Sequence, residues 1–246
     1  MNMPSLDGAV ILVTGANGGI GTHFVHQALA RGAAKVYATA RTPRTWDDER
    51  VVPLTLDVTD GESIAAAVAA APDVAALINN AGAIPPSASL LEVTEADIRE
   101  NMEVNFFGPV LLARAFAPVL AASPRSILVD VHSIASWYGF GGAYSATKAA
   151  LWSATNSLRL ELAPRGVHVT GVHMGYVETR MAAHADGPKM APGDLVTKVY
   201  DAVEADEYEV IGDELTAQVK AALSGPVEAL YPELRDTRTP QAAVEE

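Results

Sequence analysis

The sequence predicts an α/β protein built on a doubly wound parallel sheet with helices on both faces. Short apolar runs alternate with segments of helical periodicity along nearly the whole chain, and this alternation is typical of βαβ units. The first run, AVILVTG at residues 9–15, is apolar almost without interruption, as expected for a strand that is buried on both faces. No linker-like stretch breaks the alternation, so we expect one domain over residues 1–246.

The elements follow one another in a regular order. A helix with apolar residues three and four positions apart follows the first strand directly, and Gly32 is its expected C-cap. Further helices are predicted at residues 63–72, 94–121 and 143–162. The polar stretch at 236–246 lacks periodicity, so we expect a flexible tail there. The predicted strands cover residues 9–15, 35–41, 51–60, 73–82, 126–133, 166–175 and 208–213.

Composition excludes several classes of function. The chain has 246 residues, a net charge of −13 and no cysteine. Negative charge without a basic run argues against nucleic acid and anionic membranes as partners. The lack of cysteine excludes disulfides and zinc–thiolate sites. Because no signal-peptide pattern is found and no apolar run approaches the roughly 20 residues of a membrane span, we expect a cytoplasmic protein.

A glycine-rich loop, TGANGGIG, lies between the first strand and the first helix. Its spacing is Gly15-x-x-x-Gly19-x-Gly21. Glycines allow the backbone to turn sharply and let a pyrophosphate approach the helix N-terminus, where free N–H groups and the helix dipole favour negative charge. We therefore predict a dinucleotide-binding site at this loop.

This glycine spacing resembles the T-G-x-x-x-G-x-G motif of the short-chain dehydrogenase/reductase family. The resemblance covers roughly residues 8–215 and implies a Rossmann fold, a carbonyl reductase or alcohol dehydrogenase activity that uses NADP(H), and a homodimer or homotetramer. Four further segments agree with the family in order: LDVTD with Asp57, NNAG at 79–82, EVNFFG with Asn105, and Ser133 followed by Tyr144-x-x-x-Lys148.

Tyr144 and Lys148 are the predicted centre of the chemistry. Positions four apart in a helix share one face. A cation about 4 Å from the hydroxyl is expected to lower the tyrosine pKa, ordinarily about 10, by roughly 3 units, which would suit general acid–base catalysis. By the resemblance, Lys148 also binds the cofactor ribose, and Asn105 bends its helix and holds a water that links to the lysine.

Ser133 is the predicted partner of Tyr144. It follows a buried strand, so it is expected at the carboxyl edge of the sheet, where its hydroxyl can bind the substrate oxygen. Ser136 is the rival. Eleven positions separate Ser133 from Tyr144, against eight for Ser136, and the family's longer gap favours Ser133.

The sequence predicts a preference for NADP(H) over NAD(H). In enzymes of this fold that prefer NAD, a carboxylate usually ends the second strand. Ala40 stands at that place here and Arg41 follows it. The planar donors of arginine suit a 2′-phosphate, and Thr42 or Arg44 can assist.

The resemblance supplies the other cofactor contacts. It places Asp57 at the adenine and Val177 and Thr179 at the nicotinamide carboxamide. Met174 stands where the family has proline, which leaves the path of the following loop open. The complete predicted set is Gly15, Asn17, Gly18, Gly19, Ile20, Gly21, Arg41, Asp57, Val58, Asn80, Ala81, Gly82, Tyr144, Lys148, Gly175, Val177 and Thr179.

The predicted substrate pocket is apolar and aromatic, so we expect a bulky apolar ketone or aldehyde. Residues 180–194, rich in small residues, are predicted to form a mobile lid. His132 and His173 are interpreted as packing or hydrogen-bonding residues without metal-ligand spacing, and His23 and His26, three apart on the first helix, as surface residues rather than metal ligands. The predicted pocket wall is Ile84, Trp137, Tyr138, Phe140, Tyr176 and Met181.

Two alternative functions fit the same fold. One is a non-catalytic protein that senses NADP(H), which the retention of every catalytic position disfavours. The other is a reductase of 3-oxoacyl thioesters on an acyl carrier. The lack of a basic patch near the predicted lid argues against it, since an acidic carrier protein needs positive charge to dock.

Overall fold

The computed structural model describes residues 5–236, so the predicted tail lies outside the described residues except for Asp236. The strands are β1 Val10–Thr14, β2 Lys35–Ala40, β3 Val51–Thr55, β4 Ala76–Asn79, β5 Ser126–Val131, β6 Val167–His173 and β7 Glu209–Ile211. The helices are α1 Gly19–Ala30, α2 Gly61–Ala70, α3 Glu95–Met102, α4 Gly108–Ala122, α5 Ala143–Leu162, α6 Pro192–Glu204, α7 Glu214–Ala222, α8 Val227–Leu230 and α9 Glu233–Asp236.

The seven strands form one parallel sheet in the order β3-β2-β1-β4-β5-β6-β7. This confirms the predicted doubly wound α/β fold. The strand order reverses between β1 and β4, which pair directly. In open α/β sheets, ligands bind in the crevice at the carboxyl ends of the strands beside such a reversal.

Helices cover both faces of the sheet. On one face, α1 and α6 pack against it through residues such as Phe24, Val199 and Tyr200. On the other face, α2, α4 and α5 supply residues such as Ile64 and Phe116. Helix α6 is not predicted from the sequence, although its buried residues recur at helical spacing.

A single long helix runs from Glu95 to Ala122, close to the predicted bounds of 94–121. It begins with a capping box between Thr94 and Asp97 and contains one π-helical turn, Glu103–Phe107, between α3 and α4. By length and composition it is apolar enough to cross a membrane, contrary to expectation. Its buried face packs in the core beside the sheet, as in the core helix of a globular fold.

The predicted strands at 51–60 and 73–82 are too long. β3 ends at Thr55, because Asp57 receives hydrogen bonds from Thr59 and Asp60 caps α2. Both carboxyl groups thereby stabilise a turn rather than a strand.

Candidate active site

In parts of the glycine loop, backbone atoms pack so closely that side chains would not fit. Gly15 and Gly19 have φ values of 66° and 52°, a region that favours glycine. A Cβ at Gly21 would collide with the carbonyl oxygen of Gly15. Helix α1 starts at Gly19 without a side-chain cap and without an acidic residue in its first turn. The Gly21 N–H donates to the Gly18 carbonyl oxygen at 3.1 Å, and the start of the helix dipole at Gly19 and Ile20 suits an anion.

The end of β4 is fastened to this loop. Thr14 Oγ1 accepts hydrogen bonds from the backbone N–H groups of Asn80 and Ala81, both at 2.9 Å. The Asn80 side chain donates to the carbonyl oxygen of Thr14 at 2.8 Å. Asn80 therefore joins two strand ends, while Ala81 and Gly82 continue the crevice. Thr179 also reaches the loop, because a Cβ at Gly19 would lie 3.2 Å from its Cγ2 atom.

Two arginines lie beyond the carboxyl end of β2. Arg41 is exposed, and its charge contributes to lowering the pKa of Asp57, after the hydrogen bonds from Thr59. Arg44 stacks over the ring of Trp46 at 4.0 Å. Asn17 holds this segment by donating to the Thr42 carbonyl oxygen at 2.7 Å. Neither arginine forms an ion pair within residues 5–236, so both charges are available to an anion.

The structure brings Ser133, Tyr144 and Lys148 together. Ser133 follows β5 and is 6% exposed, while Tyr144 lies in the first turn of α5. Gly142 sets this start: its φ is 55°, and a Cβ there would collide with the carbonyl oxygen of Ala88. Burial raises the pKa of Tyr144 to about 12, and a hydrogen bond from the Ser133 hydroxyl opposes the rise.

Lys148 does not lower the tyrosine pKa in the way predicted. Its ammonium group donates to the Val131 carbonyl oxygen at 2.9 Å and lies 5.7 Å from the centre of the Tyr144 ring. Burial lowers the pKa of Lys148 to about 8, against an opposing contribution from Asp130. The prediction of a lowered tyrosine pKa was wrong for the cofactor-free protein, because burial of the Tyr144 hydroxyl dominates its pKa.

Asn105 lies in the π-helical turn, and its side chain is fully engaged. Its Oδ1 accepts from the Ala83 N–H at 2.9 Å. Its Nδ2 lies within hydrogen-bond distance of the Ala83 carbonyl oxygen, Asn101 Oδ1 and Thr147 Oγ1. Asn101 and Thr147 were not predicted as site residues. Their signal in the sequence is helical spacing: Asn101 is four residues before Asn105, and Thr147 directly precedes Lys148.

A Cβ built at Gly82 shows how close these groups are. It would lie 3.3 Å from Asn105 Oδ1 and 3.8 Å from Lys148 Nζ. Glycine at this position therefore leaves space between the amide and the ammonium group.

Several members of the predicted pocket wall have exposed aromatic or apolar side chains. Phe140 and Tyr176 have their ring centres 6.3 Å apart and are 42% and 38% exposed. Tyr138 stacks on Tyr231 with 5.2 Å between ring centres. Ile84 and Met181 are exposed to a similar extent. Tyr231 was not predicted from the sequence, since it stands some ninety residues after the loop that it contacts.

Trp137 does not line this pocket, and its assignment to the pocket wall was wrong. It is 6% exposed and stacks on His173, with ring centres 3.9 Å apart. The short 3-10 turn Ile134–Ser136 carries its indole into a small core with Ile134 and Val219. The position of Trp137 near Ser133 in the sequence therefore did not predict where its side chain points.

The loop after β6 has a defined path although proline is missing. The Met174 carbonyl oxygen accepts from the Ile134 N–H at 2.7 Å, and the Gly175 N–H donates to Asp213 at 2.6 Å. The ends of the predicted lid are joined as well. Met190 exchanges backbone hydrogen bonds with Tyr176 and Glu178, both at 2.9 Å.

Ser133 rather than Ser136 meets the tyrosine. The Ser136 hydroxyl is buried and has no hydrogen-bond partner among the described residues. Of the two serines, only Ser133 contributes to the pKa of Tyr144. The geometry thus favours the residue that the longer spacing indicated.

Together, the parallel sheet, the glycine loop at the strand reversal and the Ser133, Tyr144 and Lys148 group define a dinucleotide-dependent oxidoreductase. Residues 9–189 match the family model described as short chain dehydrogenase. The chain belongs to the short-chain dehydrogenase family, as its motifs predicted.

Relatives differ in their substrates. The chain is 36% identical over 182 residues to an NADPH-dependent 1-acyldihydroxyacetone phosphate reductase of Schizosaccharomyces pombe, which covers 70% of this chain but only 60% of that relative. It is 29% identical over 243 residues to an NADP-dependent 3-hydroxy acid dehydrogenase of the same yeast, covering 87% and 93%.

A solved structure is similar over almost the whole chain. It is a short-chain dehydrogenase from Burkholderia cenocepacia in complex with NADP, with a TM-score of 0.87 and 35% identity, and the match covers 94% of this chain and 98% of that one.

Proposed function

We propose that this oxidoreductase transfers hydride between NADP(H) and a ketone, an aldehyde or a secondary alcohol, with Tyr144 as the general acid or base. The observation that carries the proposal is that three side chains meet: the Ser133 hydroxyl is close enough to Tyr144 to lower its pKa, and the buried Lys148 lies beside the tyrosine ring. This arrangement supplies a proton donor and an oxygen-binding hydroxyl at one point, as carbonyl reduction requires.

The residues present fit NADP(H). The uncapped start of α1 and the glycine loop suit a pyrophosphate, and the exposed Arg41 and Arg44 suit a 2′-phosphate. The NADP-bound Burkholderia structure and the two NADP-dependent yeast relatives support the same cofactor. When bound, the reduced nicotinamide supplies hydride to the carbonyl carbon.

The protein's own residues manage the proton. A pKa of about 12 keeps Tyr144 protonated at neutral pH, so it is ready to donate to the carbonyl oxygen as negative charge develops there. Ser133 donates a second hydrogen bond to that oxygen. Lys148, held at Val131, stabilises the phenolate that remains. Asn105 fixes the backbone at Ala83 beside the lysine.

We propose a bulky, mainly apolar substrate. The support comes from the aromatic side chains of Tyr138, Phe140, Tyr176 and Tyr231. Trp137 does not contribute, because its side chain is buried. Residues 134–143 contain no arginine or lysine to bind a carboxylate or phosphate. Flat aromatic faces bind apolar groups through buried area.

We also propose a cytoplasmic homodimer or homotetramer. The apolar side chains of Phe107 in the π-helical turn, Leu111 on α4 and Leu160 on α5 are exposed. They support self-association, since apolar side chains at a helix surface favour burial against a partner.

Replacement of Tyr144 by phenylalanine tests the proposal. We expect Tyr144→Phe to bind NADPH normally, because the ring remains, but to lose at least about a hundredfold in turnover, the usual scale of general acid catalysis. NADPH consumption at 340 nm over a panel of aryl and alkyl ketones measures turnover, and fluorescence titration measures binding. Tyr208→Phe, which changes an exposed tyrosine, is the control.

Two results would contradict this function. Near-normal turnover in Tyr144→Phe would remove Tyr144 from the mechanism. Tight NADPH binding without turnover of any carbonyl by the wild type would instead favour the sensor alternative.

A further inference from the structure

A chain of buried polar side chains runs behind the catalytic serine. Asn79 Nδ2 donates to Asp130 Oδ1 at 2.8 Å. Asp130 Oδ2 lies 2.7 Å from Thr155 Oγ1, which lies 2.9 Å from His132 Nε2. The chain then continues to His173.

Its last two contacts reach the active site. His132 Nδ1 lies 3.0 Å from His173 Nε2, and His173 Nδ1 lies 3.3 Å from the carbonyl oxygen of Ser133. Every side chain in the chain is buried. These contacts agree with the prediction that both histidines form hydrogen bonds, but the chain as a whole was not foreseen.

The contact with Ser133 selects the direction of the chain. A carbonyl oxygen can only accept, so a hydrogen bond to Ser133 requires a proton on His173 Nδ1. A neutral His173 then accepts at Nε2, and His132 donates from Nδ1 and accepts at Nε2. Thr155 has one hydroxyl proton and three partners, namely Asp130 Oδ2, the Leu151 carbonyl oxygen at 2.8 Å and His132 Nε2. In this arrangement the proton goes to His132.

The same arrangement sets the state of Asp130. With its hydroxyl proton directed at His132 rather than at Leu151 or Asp130, Thr155 accepts from Asp130 Oδ2, and that carboxyl group carries a proton. The uncharged chain therefore donates in one direction, from Asp130 through Thr155, His132 and His173 to Ser133.

Burial favours these protonation states. It raises the pKa of Asp130, against the side-chain hydrogen bonds with Asn79 and Thr155 and the charges of Arg159 and Lys148. It lowers the pKa of His173 to about 3 and that of His132 well below its ordinary value. Burial thus disfavours the charged form of all three groups.

Neighbouring groups complete the surroundings of His173. Trp137 covers one face of its ring. Glu209 Oε1 lies 3.5 Å from His173 Nε2, longer than an ordinary hydrogen bond, and Glu209 is already paired with Lys220. His132 is thus the nearer partner of that nitrogen.

We propose that His173 is a positioning residue for Ser133, and that this one-way chain from a protonated Asp130 holds it in the donating tautomer. The Ser133 carbonyl oxygen accepts from the Ser136 N–H at 3.0 Å and from His173, and these two donors fix the peptide plane that follows the catalytic hydroxyl. The effect on turnover rests on the proposed function, whereas the tautomer does not.

Histidine NMR tests the tautomer without any substrate. With selectively ¹⁵N-labelled histidine, long-range ¹H–¹⁵N spectra distinguish a protonated ring nitrogen from a bare one. The six histidines are assigned by single substitutions. We expect the proton on Nδ1 in both His132 and His173, in wild type and in Asp130→Asn, because the amide also donates to Thr155. Thr155→Val removes the hydroxyl that donates to His132 Nε2. In this variant we expect His132 and His173 no longer to carry their protons only on Nδ1.

Kinetics tests the positioning. His173→Phe keeps an aromatic ring against Trp137 but removes the donor, and we expect kcat to fall about tenfold, the scale of one lost hydrogen bond, with NADPH affinity unchanged. His173→Asn should recover most of the loss, because its amide can donate to Ser133. His168→Phe, on the same strand but outside the chain, is the matched control.

Each result has a clear consequence. A proton on His173 Nε2 in the wild type would reverse the chain and overturn the proposal. So would an unchanged kcat in His173→Phe, or equal losses in His173→Phe and His173→Asn. If the wild type reduces no carbonyl, the proposed function fails, and the NMR spectra still decide the direction of the chain.

Discussion

At the scale of single residues, burial shifts the pKa values of Tyr144 and Lys148 in opposite directions. The pKa of Tyr144 rises to about 12 and that of Lys148 falls to about 8. Each shift favours the neutral form of its group. Before cofactor binds, the site therefore holds its proton on the tyrosine and keeps the lysine close to losing its own.

The lysine should make stability depend on pH. The unfolded chain keeps the Lys148 proton up to about pH 10.5, whereas the folded protein releases it near pH 8. Between these values the unfolded state binds more protons, so the unfolding free energy rises with pH. From pH 8 to pH 10 we expect a rise of about 2–3 kcal/mol relative to Lys148→Met, measured by urea unfolding without cofactor.

Exposed lysines should not share this behaviour. Lys198→Met, which changes an exposed lysine of α6, is the control and should follow the wild type. The raised pKa of Tyr144 destabilises the folded state only above about pH 10, outside the window. If the unfolding free energies of wild type and Lys148→Met depend on pH in the same way, burial does not lower the pKa of Lys148.

The cofactor preference is also set by single residues. We expect the wild type to prefer NADPH strongly, and Ala40→Asp with Arg41→Ala to erase or invert that preference, because a carboxylate accepts the ribose hydroxyls and repels a 2′-phosphate. The ratio of kcat/KM for NADPH and NADH measures it. Arg165→Ala, at the distant start of β6, is the control, and equal efficiency of the wild type with both cofactors would disprove the assignment.

At the scale of elements, the glycine loop contains two glycines with different tasks. A Cβ at Gly21 would collide with the Gly15 carbonyl oxygen, whereas a Cβ at Gly18 meets nothing within 4 Å. We expect Gly21→Ala to lower the unfolding free energy by about 2–4 kcal/mol, as in other overpacked sites. Gly18→Ala should change it by less than about 0.5 kcal/mol. Thermal unfolding without cofactor compares the pair.

Similar losses in the two variants would mean that the close contact at Gly21 relaxes freely. Cofactor affinity is a separate measurement, since Gly18 lies on the open side of the loop.

The sequence predicts the elements with the strongest periodicity best. β1 and β5 are nearly or fully buried, so their apolar runs stand out. Helix α6 was not predicted, because the small residues and prolines that precede it are typical of a loop. The direction of Trp137 was missed because a 3-10 turn, which has no clear sequence signal, decides where the indole points.

At the scale of the whole molecule, distant contacts were the hardest to predict. The glycine spacing and Tyr144-x-x-x-Lys148 are local and visible in the sequence. The contacts of Asp213 with Gly175 and of Tyr231 with Gly139 depend on the packing of the last helices. Likewise, the protonation states of Tyr144 and Lys148 follow from burial, which spacing alone does not determine.

The contact made by Tyr231 should affect substrate binding more than cofactor binding. Its hydroxyl accepts from the Gly139 N–H at 2.8 Å. We expect Tyr231→Phe to lower the unfolding free energy by about 1 kcal/mol and to raise the substrate KM, because the loop carrying Phe140 loses an anchor, with NADPH affinity unchanged. Tyr208→Phe serves as the control, and a change in NADPH affinity alone would contradict this role.

The same contact has a consequence for biosynthesis. Tyr231 and Gly139 are 92 positions apart, and a ribosome makes the chain from its N-terminus. The glycine loop, Ser133, Tyr144 and Lys148 therefore all leave the ribosome long before the residue that anchors the pocket loop. We expect the nascent chain to gain its nucleotide-binding half first and to acquire substrate selectivity only after Tyr231 has been made.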